Sequence, residues 1–114
     1  MATTNLFAGI ATADLPAARA YYERFFGRGP DLIPNDDEAA WRLTDDAWVY
    51  VVADAPRAGG AVLTLLVDDL DAQLAGLRER GIEPPATQPV GGGRSVRIDG
   101  PEDAMIQLAQ VPEG

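Results

Sequence analysis

The chain has 114 residues, 46% of them hydrophobic, and a formal net charge of −9. Histidine and cysteine are absent and all nine basic residues are arginines, which excludes disulfides, thiolate nucleophiles, Schiff-base lysines, imidazole acid–base catalysis and most zinc, copper or non-haem iron sites. So acidic a protein repels phosphate backbones and anionic lipid, so nucleic acid is not an expected partner and a neutral or cationic ligand is electrostatically easier.

No run approaches the roughly 18 apolar residues of a membrane span, and the N-terminal stretch lacks the basic-then-apolar order of a secretory signal. The expectation is one cytoplasmic globular domain over residues 1–114 with no membrane association.

In chain order, Asn5 to Ala13 is apolar with small residues and reads as a strand. Asp14 is placed to cap a helix, and Pro16 suits that helix's first turn because its missing donor would have no partner there. Leu15, Ala18, Tyr22, Phe25 and Phe26 recur at helical spacing, Arg19 and Glu23 form an i,i+4 pair on the other side, and Gly27 supplies a left-handed stop. The Pro- and Gly-containing stretch from Arg28 to Pro34 allows only a short edge strand, and Asp36-Asp37-Glu38 reads as a solvated turn. Ala40 to Thr44 and Ala47 to Ala53 are β-rich runs joined by the compact Asp45-Asp46 turn. Alternation sets Trp48, Tyr50 and Val52 on one face and Val49 and Val51 on the other. Trp41 and Arg42 alternate in the same way, and either can reach a binding face or a dimer surface.

Asp54 to Gly60 reads as a linker. Ala61 to Val67 is a second apolar strand, Asp69 a second cap, and Leu70, Leu74 and Leu77 the buried stripe of a second helix that ends at Gly81. Asp68-Asp69-Leu70-Asp71 lacks the glycine and distal glutamate of a calcium loop, so capping explains it. Ile82 to Pro89 is extended and proline-broken, and Gly91-Gly92-Gly93 reads as a mobile rim, since no lysine or helix follows to make it a phosphate loop. Arg94 to Asp99 and Ala104 to Val111 are the last strands, joined by Gly100-Pro101-Glu102-Asp103.

Asp14 and Asp69 stand 55 positions apart (69 minus 14), each between an apolar strand and an amphipathic helix stopped by glycine. That echo at about half the chain length indicates duplication. Module one covers about residues 5–53, the linker 54–60 and module two 61–110, each in the order β, α, β, β, β.

Three motifs carry a resemblance: Ile10-Ala11-Thr12-Ala13-Asp14-Leu15, Leu65-Leu66-Val67-Asp68-Asp69-Leu70, and Gly100-Pro101-Glu102-Asp103 before Met105-Ile106-Gln107-Leu108. In this order the chain resembles the vicinal oxygen chelate superfamily, which includes glyoxalase I, bleomycin-resistance proteins and extradiol dioxygenases, from about Asn5 to Gln110. The resemblance implies an α+β fold in which two tandem βαβββ modules form a glyoxalase-like open barrel with a concave cleft. It also implies a homodimer. The superfamily's four metal-ligand positions fall on Phe7, Tyr50, Val62 and Gln107, three of which cannot bind a divalent ion well, so no metal or other cofactor is expected.

Alternation puts Phe7 with Gly9 and Ala11, Val62 with Thr64 and Leu66, and Gln107 with Met105 on the inferred cleft side. With Trp48, Tyr50 and Arg97 they would line an apolar, aromatic site with polar tips. The competing reading is that the aromatic residues fill a small core, and it fits Phe7 best because a buried Phe needs no functional explanation. Arg97 reads first as the partner of a nearby acid and second as a contact for a ligand carboxylate. The expected function is metal-free sequestration of a small aromatic or cationic molecule. The alternatives are a lyase, isomerase or dioxygenase with oxygen-only ligands, and an accessory module with a vestigial cleft.

Overall fold

The computed structural model describes residues 2–112 and divides the chain into two compact units that meet between Gly59 and Gly60. Unit one runs β1 (Leu6–Thr12), α1 (Leu15–Phe26), β2 (Leu32–Asn35), β3 (Glu38–Thr44) and β4 (Ala47–Ala53). Unit two runs β5 (Val62–Leu66), α2 (Leu70–Glu79), β6 (Gln88–Val90), β7 (Gly93–Asp99) and β8 (Met105–Gln110). The sheets have the same topology, β1-β4-β3-β2 and β5-β8-β7-β6, with the first strand parallel to the last and the other pairings antiparallel. No helix among the described residues is long and apolar enough to cross a membrane.

The two helix starts are near copies. Asp14 (φ −137°, ψ 87°) accepts from the Ala17 amide and Asp69 (φ −143°, ψ 89°) from the Ala72 amide, each at 3.1 Å. Each carboxylate thus satisfies a first-turn donor that has no partner within the helix. Leu70 N, another such donor, is taken by Gln110 Oε1 at 2.8 Å, which ties α2 to the end of β8.

In unit one, strand parity sends Ile10, Trp41, Val49 and Val51 to the helix side, all nearly inaccessible. Trp41 meets Tyr22 and Phe26 of α1 with ring centroids at 6.5 and 5.4 Å. Its indole Nε1 donates to Arg28 O at 3.0 Å, so this large side chain is buried without an orphaned donor. In unit two the corresponding layer is aliphatic: Leu70, Leu74 and Leu77 of α2 and Val96, Ile98, Ile106 and Leu108 of the sheet are all buried.

Some boundaries differ from the sequence reading. β3 begins at Glu38, because its place in the ladder opposite both Asn35 and Val52 outweighs its charge, and the acidic turn shrinks to Asp36-Asp37. The edge strand starts at Leu32 rather than Arg28, and side chains stitch the stretch before it to β3. Asp31 accepts from the Arg42 amide at 2.8 Å and from the Arg28 guanidinium at 3.0 Å. These donors hold the Asp31 carboxyl below its usual pKa, the Arg42 amide contributing most. The linker contains one 3₁₀ turn, Ala55–Arg57.

The triple glycine, read as a mobile rim, forms a compact hairpin. Val90 pairs with Gly93 across Gly91 (φ 48°) and Gly92 (φ 79°), two left-handed residues as a two-residue hairpin of this twist requires. Gly93 is needed for a different reason, since a Cβ there would lie 1.9 Å from Gln110 O.

Candidate functional site

The sheet face turned away from α1 is built in cross-strand rows. Phe7, Trp48 and Arg42 are register partners across β1, β4 and β3. The Phe7 and Trp48 rings stack with centroids 5.3 Å apart and planes 11° from parallel, and the Arg42 guanidinium lies over the indole at 6.0 Å. Three flat groups thus make one surface, and Phe7 remains 50% exposed. This corrects the reading of Phe7 as core: its parity is that of Gly9 and Ala11, opposite to buried Ile10. Arg42, which sequence left undecided between two surfaces, belongs to this face, and its partner Trp41 belongs to the core.

The next row is Gly9, Tyr50 and Ala40. A Cβ on Gly9 would stand 2.6 Å from Tyr50 Cζ and 2.7 Å from its hydroxyl, so glycine is what lets the phenol lie across β1. Tyr50 is half-buried. Nothing in the one-dimensional pattern marks Gly9 for this role, because the contact depends on the parallel register of β1 and β4.

In unit two the face away from α2 carries the remaining candidates. Val62, Met105 and Asp99 form one row, and Thr64, Gln107 and Arg97 the next. Val62 is 67% exposed and Leu66, further along β5, is 70% exposed. The Thr64 hydroxyl donates to Gln107 Oε1 at 3.4 Å. Arg97, expected first to pair with a nearby acid, has no ion-pair partner among the described residues, because the register sets Gln107 beside it. The structure therefore gathers Phe7, Trp48 and Tyr50 on one sheet and Val62, Arg97, Met105 and Gln107 on the other.

The four positions where the resemblance implies metal ligands carry two hydrocarbons, Phe7 and Val62, a phenol, Tyr50, and an amide, Gln107. That donor set does not fit a divalent cation, which needs several hard oxygens or imidazoles.

No protein-family model and no curated protein sequence matches the chain. Solved structures do. A glyoxalase / bleomycin resistance protein from Catenulispora acidiphila DSM 44928 matches with a TM-score of 0.89 and 39% identity over 95% of this chain and 98% of that one. TnmS3, an antibiotic binding protein from Streptomyces sp. CB03234, matches with a TM-score of 0.74 and 24% identity over 95% of both chains. A bleomycin-binding protein complexed with bleomycin matches with a TM-score of 0.75 and 19% identity over 95% of this chain and 98% of that one. The last two establish shared fold. The first, at 39% identity along almost all of both chains and with the duplicated βαβββ order already in view, shows that this chain belongs to the glyoxalase/bleomycin resistance protein family of the vicinal oxygen chelate superfamily.

Proposed function

We propose that this chain is a metal-independent binding protein that sequesters a small molecule bearing a planar aromatic or cationic group, with the Phe7–Trp48–Arg42 ladder as its seat. The observation that carries this reading is the exposed, near-parallel Phe7–Trp48 stack, extended by a guanidinium and flanked by Tyr50. A planar ligand ring added to this stack gains about 0.5–1.5 kcal/mol beyond area burial. The net charge of −9 favours the approach of cations. The antibiotic-binding and bleomycin-binding neighbours agree with a binding role on this fold.

A second copy of the chain is part of this proposal. Leu6, Leu32, Ile33, Val62 and Leu66 are large apolar side chains each more than 45% exposed, and an isologous homodimer would cover such surface. Light scattering at micromolar concentration should give twice the chain mass, and a monomeric mass would remove this part of the proposal.

The binding test is a titration followed by tryptophan emission. Trp41 is fully buried and Trp48 is not, so a stacking ligand should change Trp48 emission and leave Trp41 emission nearly constant. Trp48→Ala should weaken binding about tenfold, and affinity for cations, unlike neutral aromatics, should fall with added salt. Recovery of unchanged compound supports sequestration, whereas a modified compound in excess over protein supports a lyase, isomerase or dioxygenase. An emission indifferent to a broad aromatic and cationic panel would leave the accessory-module reading.

A further inference from the structure

We propose that unit two carries its own site for a small monocarboxylate, in which the Arg97 guanidinium and the Gln107 amide bind the carboxylate and the segment from Pro85 to Val90 covers its apolar body. This goes beyond the aromatic seat on unit one and rests on residues of unit two alone.

The first ground is Arg97 itself. In a chain with 18 acidic residues its guanidinium makes no ion pair among the described residues. The scaffold does not require a cation there, because the corresponding row of unit one reads Gly9, Tyr50, Ala40, with alanine in the place of Arg97.

The second ground is its setting. Arg97 and Gln107 line a hollow of about 450 Å³ whose other walls include Pro85, Gln88 and Val90. A hollow of that size suits a small organic molecule, since ligand pockets run from about 300 to 1,000 Å³. With Gln107 Oε1 taken by the Thr64 hydroxyl, the amide NH₂ is left to donate, beside the donors of Arg97. Convergent planar donors on a partly apolar wall match a carboxylate with a hydrocarbon body, and a guanidinium fork binds a carboxylate through two parallel hydrogen bonds. The net charge of −9 opposes a multiply charged phosphate more strongly than a monoanion.

The test uses the isotopically labelled full chain and three probes followed by NMR: benzoate, benzyl alcohol and inorganic phosphate. Benzoate should shift the Arg97 Nε–H and Gln107 side-chain amide signals saturably in the millimolar range. Benzyl alcohol and phosphate should bind at least tenfold more weakly. Arg97→Gln should weaken benzoate at least tenfold with the rest of the amide spectrum retained, as expected for an exposed side chain, and Arg97→Lys should recover part of the affinity. The proposal is overturned if benzoate moves neither signal, if benzyl alcohol or phosphate binds as well as benzoate, or if Arg97→Gln binds benzoate normally. Both tryptophans lie in unit one, so their emission reports the aromatic seat separately, and either proposal can fail without the other.

Discussion

The two units follow the same path with the same strand order, yet every one of the three phenylalanines, three tyrosines and two tryptophans lies between Phe7 and Tyr50. Unit one packs Trp41 against Tyr22 and Phe26, while unit two fills the equivalent layer with leucine, isoleucine and valine. The outer faces diverge as much: stacked rings beside a guanidinium on one sheet, and valine, methionine, glutamine and an arginine with no ion pair among the described residues on the other. A duplicated scaffold tolerates this because its path depends on caps, turns and strand parity, whereas the residues on each face are constrained only by volume and polarity.

The sharpest test of that difference is at equivalent core positions. Trp41 and Ile98 each sit on the helix side, opposite Val49 and Ile106 in the central strand. Trp41→Ala should cost about 3–5 kcal/mol and Ile98→Ala about 2–4 kcal/mol, with the tryptophan the dearer because its loss also strands the Arg28 carbonyl. Urea unfolding measures both, and a larger loss at Ile98 would mean that unit one does not depend on its aromatic layer.

Turn chemistry gives the next contrast. Gly93→Ala places a methyl against Gln110 O and should cost about 1–3 kcal/mol by prying β7 from β8. Glu38→Ala, at the residue leaving the corresponding turn of unit one, should change stability by about 0.5 kcal/mol. Equal costs would show that the β7–β8 approach relaxes freely.

The caps are where the units should agree. Asp14→Ala and Asp69→Ala should each lose about 1 kcal/mol, since both carboxylates make the same 3.1 Å bond with nearly the same backbone angles. A twofold or greater disparity in free energy would break the symmetry that the fold displays.

The smallest effect expected is the pH dependence contributed by Asp31 in unit one. Asp31 has its folded pKa lowered, first by the Arg42 amide and then by Arg28, so it stabilises the fold above the ordinary carboxylate pKa. That contribution is lost as pH falls through the lowered folded value. Asp31→Asn should therefore be less stable than the parent at neutral pH, and the difference should vanish in strong acid. A difference that persists unchanged below about pH 2 would rule out the carboxylate charge as its source.

Local chemistry alone was enough to read the repeat, both caps, both helices and the alternation of side chains along the strands, because a capping aspartate, a glycine stop and a two-residue alternation act within a few residues of chain. For the same reason alternation put Val62, Met105 and Gln107 on the cleft side of their strands, while Trp48 and Tyr50 stayed open between a binding face and a filled core. What it could not show is which residues stand side by side. Phe7 read as core, Arg42 was undecided, Arg97 was paired with an acid and the role of Gly9 went unread, and all four turn on which strands pair and in what register: β1 with β4, β3 with β4, and β7 with β8. Register is a collective choice of two whole sheets. Only the tertiary structure sets Phe7 beside Trp48, lays Tyr50 over a glycine and leaves Arg97 next to an amide instead of a carboxylate.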